Sequence, residues 1–487
     1  MSSSRPVVMW FREDLRLGDN PALNTAFESG APVICLYILE TVKDGSRPLG
    51  GASKWWLHQS LSALAEAIEA LGGQFVLRKG AAQDCLLNLV EELNATAVFW
   101  NRRYDAGGIS VDSAIKTALK TAGVEGISAN GRLLTEPWQV RTGAGAYYKV
   151  FTPYWKSVRA NYRAPPPLPK PDYIGDFGLP SDTLDTWNLL PQKPDWAVLF
   201  PQHWEPGETG AHARLERWLD GAIDSYSDQR NRPDVEGSTS GLSPHLRWGE
   251  ISPVQVWRAV HSRIGSVAGS SAEDSAWTFL SEIVWREFSY VLLYHNPRLA
   301  DVNYNIDFQH MPWRDNSADY ERWCEGQTGY PIVDAGMREL WHTGWMHNRV
   351  RMIVGSFLTK HLLLPWQMGE DWFWDTLVDA DPASNAASWQ WVAGSGADAA
   401  PYFRVFNPIT QGSKFDETGA YVRRWCPELE ALPDKYLHSP WDAPGPVLRN
   451  AGIALGETYP HPMVDHKTGR QRALDAYDTL KERRAAI

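Results

Sequence analysis

A change of pattern across a proline-rich stretch constrains the fold of this chain more than any other feature. Over residues 1–130, short apolar runs alternate with segments whose apolar residues recur every three or four positions. The runs are Val7–Trp10, Val33–Leu39, Phe75–Leu77 and Ala97–Trp100. Because strands that alternate with helices pair in parallel, this pattern predicts an α/β domain with a doubly wound, Rossmann-like sheet covered by helices.

One of the amphipathic segments, Ser53–Leu71, carries start and stop signals for a helix. Serine accepts hydrogen bonds from the first free N–H groups of a helix, so Ser53 is the expected N-cap. Gly72 and Gly73 supply the stop. The first strand is not followed by the glycine-rich fingerprint of dinucleotide-binding folds, so we do not expect the main cofactor in this domain.

Residues 131–205 follow neither pattern. The run Ala164–Pro171 is mostly proline, which cannot donate a backbone hydrogen bond and therefore cannot form a helix interior or a central strand. A connector of this length is uncommon inside one compact unit. We therefore expect an extended interdomain linker here, with no internal repeat on either side.

Residues 206–487 show helical periodicity and many aromatic residues. Ser252 and Pro253 form a helix start, with a cap followed by proline at the first helical position. The longest helical segments are Ala211–Ser225, Ala276–Tyr294, Pro331–His342, Trp345–Leu363 and Asp371–Leu377. This half of the chain is therefore expected to be one large, all-helical domain.

Composition narrows the class of function. The chain has 25 tryptophans but only 8 methionines, and indoles pack cores, stack on planar ligands and relay electrons. Its net charge of −11 argues against a surface built for general binding to nucleic acid. Any nucleic-acid site must therefore be a local basic patch on an acidic body.

The absence of apolar spans, of a secretory leader and of closely spaced cysteines constrains the cellular compartment of the protein. It has no apolar run long enough to span a bilayer and no apolar leader of the secretory type, so no membrane association is expected. The four cysteines (Cys35, Cys85, Cys324 and Cys426) lie far apart, which argues against a disulfide framework or a zinc site. A reducing cytoplasm fits this pattern.

Three helical segments carry polar groups where a plain core helix would carry leucine. In the first, Glu282 and Trp285 lie three positions apart and therefore on one helix face. A carboxylate beside an indole suits a base-shaped ligand, because the ring stacks and the acid hydrogen-bonds. The alternative is a solvated charge pattern.

The second segment, Gly344–Met352, places Asn348, Arg351 and Met352 on one face and Arg349 on another. Arginines here suit either phosphates or a buried carboxylate, so structural salt bridges are the alternative. The third segment, Asp379–Trp391, combines small residues with an amide at Asn385, where a planar ligand can approach the backbone. A loop that caps the next helix is its alternative.

Five sequence blocks, in order along the chain, together resemble the photolyase/cryptochrome family. They are Trp10–Leu17 with Asp19–Pro21, Tyr148–Pro153, Thr239–Pro244, Thr328–Ala335 and Ala400–Pro408. The resemblance implies an FAD bound in the helical domain, which agrees with the missing fingerprint at the N-terminus.

The resemblance also implies roles for individual residues toward the flavin. Asp379 matches the acid that is paired with Arg351, and Asn385 matches the residue facing flavin N5. Trp389, Trp366 and Trp313 match an electron-relay triad. The remaining implied flavin contacts are Tyr226, Thr239, Ser240, Gly241, Leu242, Ser243, Arg286, Ala380 and Asp381.

The implied substrate is a cyclobutane pyrimidine dimer in UV-damaged DNA, which must leave the duplex to be reached. Excited reduced FAD would donate one electron to the dimer, the cyclobutane ring would split, and the electron would return. Glu282 would stabilise the radical anion of the dimer by hydrogen bonding. The implied substrate and DNA contacts are Arg230, Glu282, Trp285, Asn348, Arg349, Met352, Trp391 and Gln411. The resemblance thus predicts a light-dependent DNA photolyase, expected as a monomer.

Two further segments refine the resemblance. Ser53–Leu57 and Gln59–Leu61 look like plant cryptochromes and the bacterial class III photolyases most similar to them. Gly107 and Gly108 stand where folate-antenna class I enzymes carry Asn-Glu. We therefore expect a methenyltetrahydrofolate antenna in residues 1–130, bound differently, near Glu40 and Trp55.

Three alternatives to dimer repair stay open. A cryptochrome-type blue-light photoreceptor would share the flavin without turnover on DNA, and a (6-4) photolyase would carry a histidine pair near Asn348. A generic FAD electron-transfer protein would need no DNA. A local basic cluster would favour DNA, and its candidates are Lys149, Lys156, Arg159, Arg163, Arg349, Arg404, Lys414, Arg423 and Arg424.

Overall fold

The computed structural model describes residues 5–41, 47–399 and 403–485. The chain divides into two compact units. The first contains the residues up to Asp224 together with Ser240–Pro297, and the second contains Ser225–Thr239 together with the residues from Arg298 onward. The domain limits expected from the sequence (1–130, 131–205 and 206–487) describe patterning along the chain and stay a prediction.

The first unit contains a five-stranded sheet in the order β3-β2-β1-β4-β5, and every neighbouring pair is parallel. Its strands are β1 (Val7–Phe11), β2 (Val33–Glu40), β3 (Phe75–Gly80), β4 (Ala97–Asn101) and β5 (Glu125–Ala129). This order confirms the predicted doubly wound sheet. The sequence analysis missed β5, since its residues are small or polar and only partly buried.

Helices make up most of the remaining regular structure that the model describes. The first ten are α1 (Pro21–Glu28), α2 (Gly51–Glu69), α3 (Ala82–Leu93), α4 (Ala106–Thr121), α5 (Phe151–Asn161), α6 (Glu208–Leu219), α7 (Tyr226–Gln229), α8 (Ser243–Trp248), α9 (Pro253–Ser266) and α10 (Ser271–His295). Of these, only α7 belongs to the second unit.

The second unit continues with ten more helices among its described residues. They are α11 (Ser317–Cys324), α12 (Pro331–Thr343), α13 (Asn348–Ser356), α14 (Trp366–Thr376), α15 (Ser384–Ala393), α16 (Pro408–Phe415), α17 (Ala420–Trp425), α18 (Asp434–Leu437), α19 (Gly445–Asn450) and α20 (His466–Ala485). A π-helical turn, Phe357–His361, extends α13. The expectation of a helical second half is confirmed.

Local sequence signals predicted the start of α9 correctly but not the start of α2. Ser252 accepts a hydrogen bond from the backbone of Gln255, and the Gln255 side chain returns one, so the predicted start of α9 is a complete capping box. The predicted cap at Ser53 is wrong, because α2 begins at Gly51 and Ser53 lies buried inside it. Packing of that first turn decided its start.

The region predicted as a linker is ordered and belongs to the first unit. It contains α5 and two short 3₁₀ turns, Leu184–Trp187 and Phe200–Gln202. Ile174 is fully buried, and its Cγ2 atom would lie 2.4 Å from a Cβ added at Gly73. The segment therefore packs tightly on the end of α2. Among the described residues, no helix is long and apolar enough to cross a membrane.

A buried ionic cluster fastens α4 to the sheet. Arg12 donates to the two carboxylate oxygens of Asp112 at 2.6 and 3.2 Å, and the Trp100 indole donates to the same carboxylate at 3.0 Å. Burial raises the pKa of Asp112, but Arg12 and Arg103 outweigh it and hold the pKa below its usual value. The carboxylate is therefore ionised in the folded protein.

We predict that Asp112→Ala lowers the free energy of unfolding by about 3–5 kcal/mol, because it leaves the buried Arg12 guanidinium without its partner. Urea unfolding followed by circular dichroism measures this loss. The control is Asp84→Ala, which removes an exposed acid from the first turn of α3 and should cost less than about 1 kcal/mol. Equal losses in the two variants would contradict the assignment.

Candidate functional site

A buried ion pair in the second unit joins α13 to the loop between α14 and α15. The Arg351 guanidinium binds the Asp379 carboxylate at two points, with distances of 3.1 Å and 2.8 Å. Its Nε also donates to the backbone oxygen of Met346 at 2.7 Å. The Asp379 side chain is 3% exposed and that of Arg351 is 23% exposed. The two side chains thus form a bidentate ion pair that has a fixed geometry and little exposure to solvent.

The loop that carries Asp379 also contains Ala380 and Asp381, both buried. One oxygen of Asp381 accepts hydrogen bonds from the backbone N–H groups of Ala383 at 3.0 Å and Ser384 at 2.7 Å. Asp381 therefore caps α15, as the alternative interpretation of this segment proposed.

Asn385, in the first turn of α15, has a fixed amide orientation. Its Nδ2 donates to Glu370 twice, at 2.8 Å to Oε1 and at 3.0 Å to the backbone oxygen. An amide nitrogen has two N–H groups, so both are used and the Oδ1 atom is the part left to accept from a ligand. Asn385 thereby presents an acceptor, and Glu370 selects that orientation.

Sequence reasoning missed Glu370 although a signal was present. Along α14, Trp366, Gly369, Phe373 and Trp374 are buried at helical spacing, and Glu370 lies among them with 2% exposure. An acidic residue on the buried face of an amphipathic helix is costly unless it has hydrogen-bond partners. The sequence therefore already showed an acidic residue at a position that the helical pattern predicts to be buried.

The predicted tryptophan triad belongs to a single apolar core. Trp389 and Trp366 are both buried members of one cluster in the second unit, and the partly buried Trp313 packs against it. Trp389 contacts the Phe373 ring edge to face at 5.0 Å, and the Trp366 indole donates to Asn303 at 2.8 Å. The three indoles are thus held in fixed packing, and their role as an electron relay stays a prediction.

The first five residues of α13 include the predicted substrate residues Asn348, Arg349 and Met352. Asn348 is exposed, whereas Arg349 donates to Asn231 at 2.7 Å and lies over the Phe415 ring at 4.4 Å. Burial, together with the nearby Arg230 and Arg404, lowers the pKa of Arg349. Three arginines therefore form a local cationic cluster in a chain whose net charge is −11.

Glu339 on α12 holds the start of α13, and sequence reasoning missed it. Its carboxylate accepts from the backbone N–H of His347 at 3.1 Å and from the Tyr421 hydroxyl at 2.7 Å. Burial raises the pKa of Glu339 to about 7, although Tyr421, His347, Arg351 and Arg424 oppose the shift. A titrating carboxyl therefore anchors the helix that carries Asn348 and Arg349.

The first unit holds two of the predicted substrate residues, Glu282 and Trp285, on α10. The Trp285 ring stacks on Phe151 with a centroid distance of 3.6 Å and an interplanar angle of 11°. Glu282 lies one turn before it and is half-buried, as is Arg286, which donates to the backbone oxygen of Arg132 at 2.8 Å. Glu282, Trp285 and Arg286 are all partly buried. This face of α10 is therefore not simply a solvated charge pattern.

The predicted flavin contacts between Tyr226 and Ser243 are divided between the two units. Ser240, Gly241, Leu242 and Ser243 belong to the first unit, where the Ser240 hydroxyl accepts from the Leu242 N–H at 3.3 Å. Gly241 has a φ of +62°, a left-handed conformation that favours glycine. Tyr226 and Thr239 belong to the second unit. Their roles toward a ligand stay a prediction.

Two predicted DNA contacts lie late in the second unit. Trp391, near the end of α15, donates from its indole to the backbone oxygen of Asp398 at 3.2 Å, and Gln411 is partly buried on α16. Ala400, Pro401 and Tyr402, which begin the last of the family blocks, lie outside the described residues. Of the basic candidates, Arg423 is bound to Asp434 at 2.6 Å.

The expected antenna region lies in the first unit. Arg103 binds the Glu40 carboxylate at 2.6 and 3.2 Å, and Trp55 is buried against Phe200. A Cβ added at Gly108 would lie 2.5 Å from the Cβ of Arg103, so a larger residue there would displace Arg103. Gly108, which departs from the class I pattern, therefore leaves the space that Arg103 occupies while it binds Glu40.

We predict that Arg351→Met lowers the free energy of unfolding by about 2–4 kcal/mol, because it removes the guanidinium that is paired with the buried Asp379 carboxylate. In the double variant with Asp379→Asn, the losses should be clearly less than additive. Chemical unfolding of the four proteins measures the coupling. The control is Lys481→Met, which removes an exposed ion pair and should change stability by less than about 1 kcal/mol. Additive losses at Arg351 and Asp379 would refute a coupled pair.

Glu339 gives a pH prediction with a definite sign. Its pKa near 7 in the folded protein exceeds that of an unfolded glutamate, so the folded state binds more protons over roughly pH 4.5–7. Stability contributed by Glu339 is therefore present at low pH and lost as the pH rises through this range. Glu339→Gln should gain stability relative to the parent between pH 5 and 7, as measured by urea unfolding at each pH; a pH-independent difference would contradict this.

Two protein-family models match the chain. One, described as DNA photolyase, matches residues 7–172, and the other, described as the FAD binding domain of DNA photolyase, matches residues 279–479. The second match contains the Arg351–Asp379 pair, Asn385 and the tryptophans of the core. The model that describes FAD binding thus falls on residues that the structure shows to be buried and polar.

Individual relatives match over almost the full length. A deoxyribodipyrimidine photo-lyase of Agrobacterium fabrum is 51% identical, with 98% of each chain covered. A solved bacterial class III photolyase from Agrobacterium tumefaciens superposes with a TM-score of 0.95 at 51% identity, covering 99% of each chain. Cryptochrome-1 of Arabidopsis thaliana is 36% identical over 98% of this chain and 71% of its own.

Proposed function

This chain belongs to the photolyase/cryptochrome family, and we propose that it is a deoxyribodipyrimidine photolyase that uses blue light and reduced FAD to split cyclobutane pyrimidine dimers in DNA. The observation that carries this proposal is the full-length similarity to a class III photolyase, at 51% identity. Similarity of this extent supports a shared fold and a shared activity.

The buried polar residues of the second unit fit a flavin. Asp379 is a charged acceptor with a fixed partner, Asn385 offers an oriented carbonyl oxygen, and Ala380 is a small buried residue next to Asp379. A flavin is planar, carries ring N–H donors and needs such acceptors. When bound and reduced, FAD would supply one electron after absorbing blue light and would accept it again afterwards.

We assign the cofactor residues by their match to the family. Asp379 and Asn385 would accept hydrogen bonds from the flavin ring, and Arg351 would keep Asp379 ionised and oriented. Trp389, Trp366 and Trp313 would deliver electrons that keep the cofactor reduced. The further contacts would be made by Tyr226, Thr239, Ser240, Gly241, Leu242, Ser243, Arg286, Ala380 and Asp381.

We assign the substrate residues in the same way. Trp285 and Trp391 offer flat apolar surfaces for an extruded pyrimidine pair, and Glu282 offers a hydrogen bond to a base carbonyl when its carboxyl is protonated. Arg230 and Arg349 supply positive charge for phosphates, and Arg404 reinforces it electrostatically. Asn348, Met352 and Gln411 complete the assigned set.

The antenna and the setting of the protein are further proposals. A methenyltetrahydrofolate antenna near Glu40 and Trp55 would lie in the first unit, and the Arg103–Glu40 pair gives that region a fixed polar group. We propose a monomer, and we propose a reducing cytoplasm as its setting because Cys35, Cys85, Cys324 and Cys426 are not joined in disulfides.

A blue-light photoreceptor is the second candidate, favoured by the 36% identity to a plant cryptochrome. The residues that separate the two functions are Glu282, Trp285 and Trp391, which a protein without turnover on DNA does not need. All three are present in this chain. Repair of DNA is therefore the better-supported function.

We predict that Glu282→Ala lowers the rate of dimer repair at least about tenfold, while Trp285→Ala weakens binding of dimer-containing DNA about 5–100-fold, the range for one lost stacking contact. Repair is followed by recovery of thymine absorbance when the reduced protein and a thymine-dimer oligonucleotide are illuminated with blue light.

The matched control for both variants is Asp274→Ala, which removes an exposed acid from the same helix α10. It should leave repair and DNA affinity unchanged. If Glu282→Ala and Trp285→Ala also leave both unchanged, the assignment of the substrate residues is wrong. If the parent protein repairs nothing, the photoreceptor function is favoured instead.

A further inference from the structure

A histidine caps the start of α13. His347 stands just before the first residue of the helix, and it is buried. Its Nδ1 atom accepts a hydrogen bond from the backbone N–H of Arg349 at 3.2 Å. The first N–H groups of a helix have no partner inside the helix, so a side-chain acceptor at this position stabilises the first turn. The capped residue is one that we assign to DNA phosphates.

The cap determines which ring nitrogen carries the proton. A nitrogen that accepts a hydrogen bond is unprotonated, so the neutral ring of His347 holds its proton on Nε2. Within the described part of the chain, that Nε2 atom is buried and has no hydrogen-bond partner. Burial, together with Arg349 and Arg351, lowers the pKa of His347 to about 3; Arg230 adds to the shift and Asp234 opposes it. The ring is therefore neutral near pH 7, and it acts on the site through its bond to the Arg349 backbone.

The backbone of His347 is held on both sides. Its N–H donates to the Glu339 carboxylate at 3.1 Å. Its backbone oxygen accepts from the N–H of Val350 at 2.8 Å and from the N–H of Arg351 at 3.0 Å. Because these bonds fix the backbone, the ring has little freedom to leave the N–H of Arg349.

The side chain of Arg349 depends on this placement of its backbone. Its Nε and one terminal nitrogen donate to Oδ1 of Asn231 at 3.2 Å and 2.7 Å, and its guanidinium lies 4.4 Å from the centroid of the Phe415 ring. A guanidinium has five N–H donors, so the donors that Asn231 does not use can bind a phosphate. The direction in which they point is set by Asn231, by Phe415 and by the capped backbone.

We propose that His347 is a positioning residue for DNA binding, whose Nδ1 holds the backbone of Arg349 so that the guanidinium meets a phosphate of the substrate strand. The inference rests on the proposed repair function, which supplies the DNA. His347 itself contacts neither the DNA nor the flavin. Arg351 has anchors of its own, at Asp379 and at the backbone oxygen of Met346, so the flavin residues do not need the cap.

Two substitutions separate the acceptor from the ring. His347→Asn keeps a side-chain acceptor, since asparagine is among the best helix caps, whereas His347→Leu introduces a side chain of similar size to asparagine without an acceptor. Both lose the packing of the ring, so the difference between them isolates the cap. The control is Asn316→Ala, which removes the side-chain cap of α11, where Asn316 accepts from the N–H of Asp319 at 3.0 Å. Helix α11 carries no residue assigned to flavin or DNA.

His347→Leu should bind a thymine-dimer oligonucleotide in the dark about tenfold more weakly than the parent, the size of one lost charge-assisted hydrogen bond. The slope of log affinity against log salt concentration should become shallower by about 0.7–0.9, because one phosphate contact is lost. His347→Asn and Asn316→Ala should match the parent in both quantities. A loss of stability alone does not change the salt slope, so equal behaviour of His347→Leu and His347→Asn would overturn the proposal.

A double-mutant cycle shows whether the histidine acts through Arg349. In an Arg349→Met background the phosphate contact is already absent, so His347→Leu should change DNA affinity less than about twofold. A full tenfold loss in that background would mean that His347 acts through another group, and the proposal would be wrong.

Flavin uptake and repair separate this inference from the proposed function. His347→Leu should take up FAD as tightly as the parent; weaker uptake would show that the cap serves the cofactor residues and would overturn the positioning role. A parent protein that does not repair the dimer under blue light refutes the proposed function, and the inference with it. If the parent repairs the dimer and His347→Leu binds it as tightly as the parent does, only the positioning role is refuted.

Discussion

The proposed cofactor site of the second unit depends on the ion pair between Arg351 and Asp379. It holds the loop before α15 against α13, and it keeps a carboxylate buried at a place where the interior would otherwise exclude one. The pair is costly in isolation, so its presence is better explained by a ligand that needs a fixed negative acceptor than by stability alone. The assigned cofactor site is organised around it.

Polar groups that orient other polar groups recur through the same unit. Glu370 fixes the amide of Asn385, and Glu339 fixes the start of α13, while neither is assigned a contact with cofactor or substrate. A site that transfers an electron needs rigid distances more than acid–base groups, and buried hydrogen bonds supply that rigidity. The acidic net charge is compatible with DNA binding because the arginines are clustered locally.

The sequence predicted the strands and helices more successfully than the contacts between side chains. Apolar periodicity identified four of the five strands and the helical second half, since burial imposes a regular spacing. It missed β5, whose residues are small, and it placed a cap at Ser53 where packing buries that residue. Glu370 was missed although its place on a buried helix face was visible in the sequence, whereas the contact of Glu339 with Tyr421, 82 residues away, is brought about only by the fold.

The measurement that tests the account most directly is uptake of FAD by the purified polypeptide after its flavin has been removed. The account predicts that one FAD binds per chain, restores a structured visible absorption band, and is bound much more weakly by Asp379→Ala than by the parent. A parent polypeptide that stays colourless with excess FAD would contradict the account. So would an Asp379→Ala protein that binds flavin as tightly as the parent.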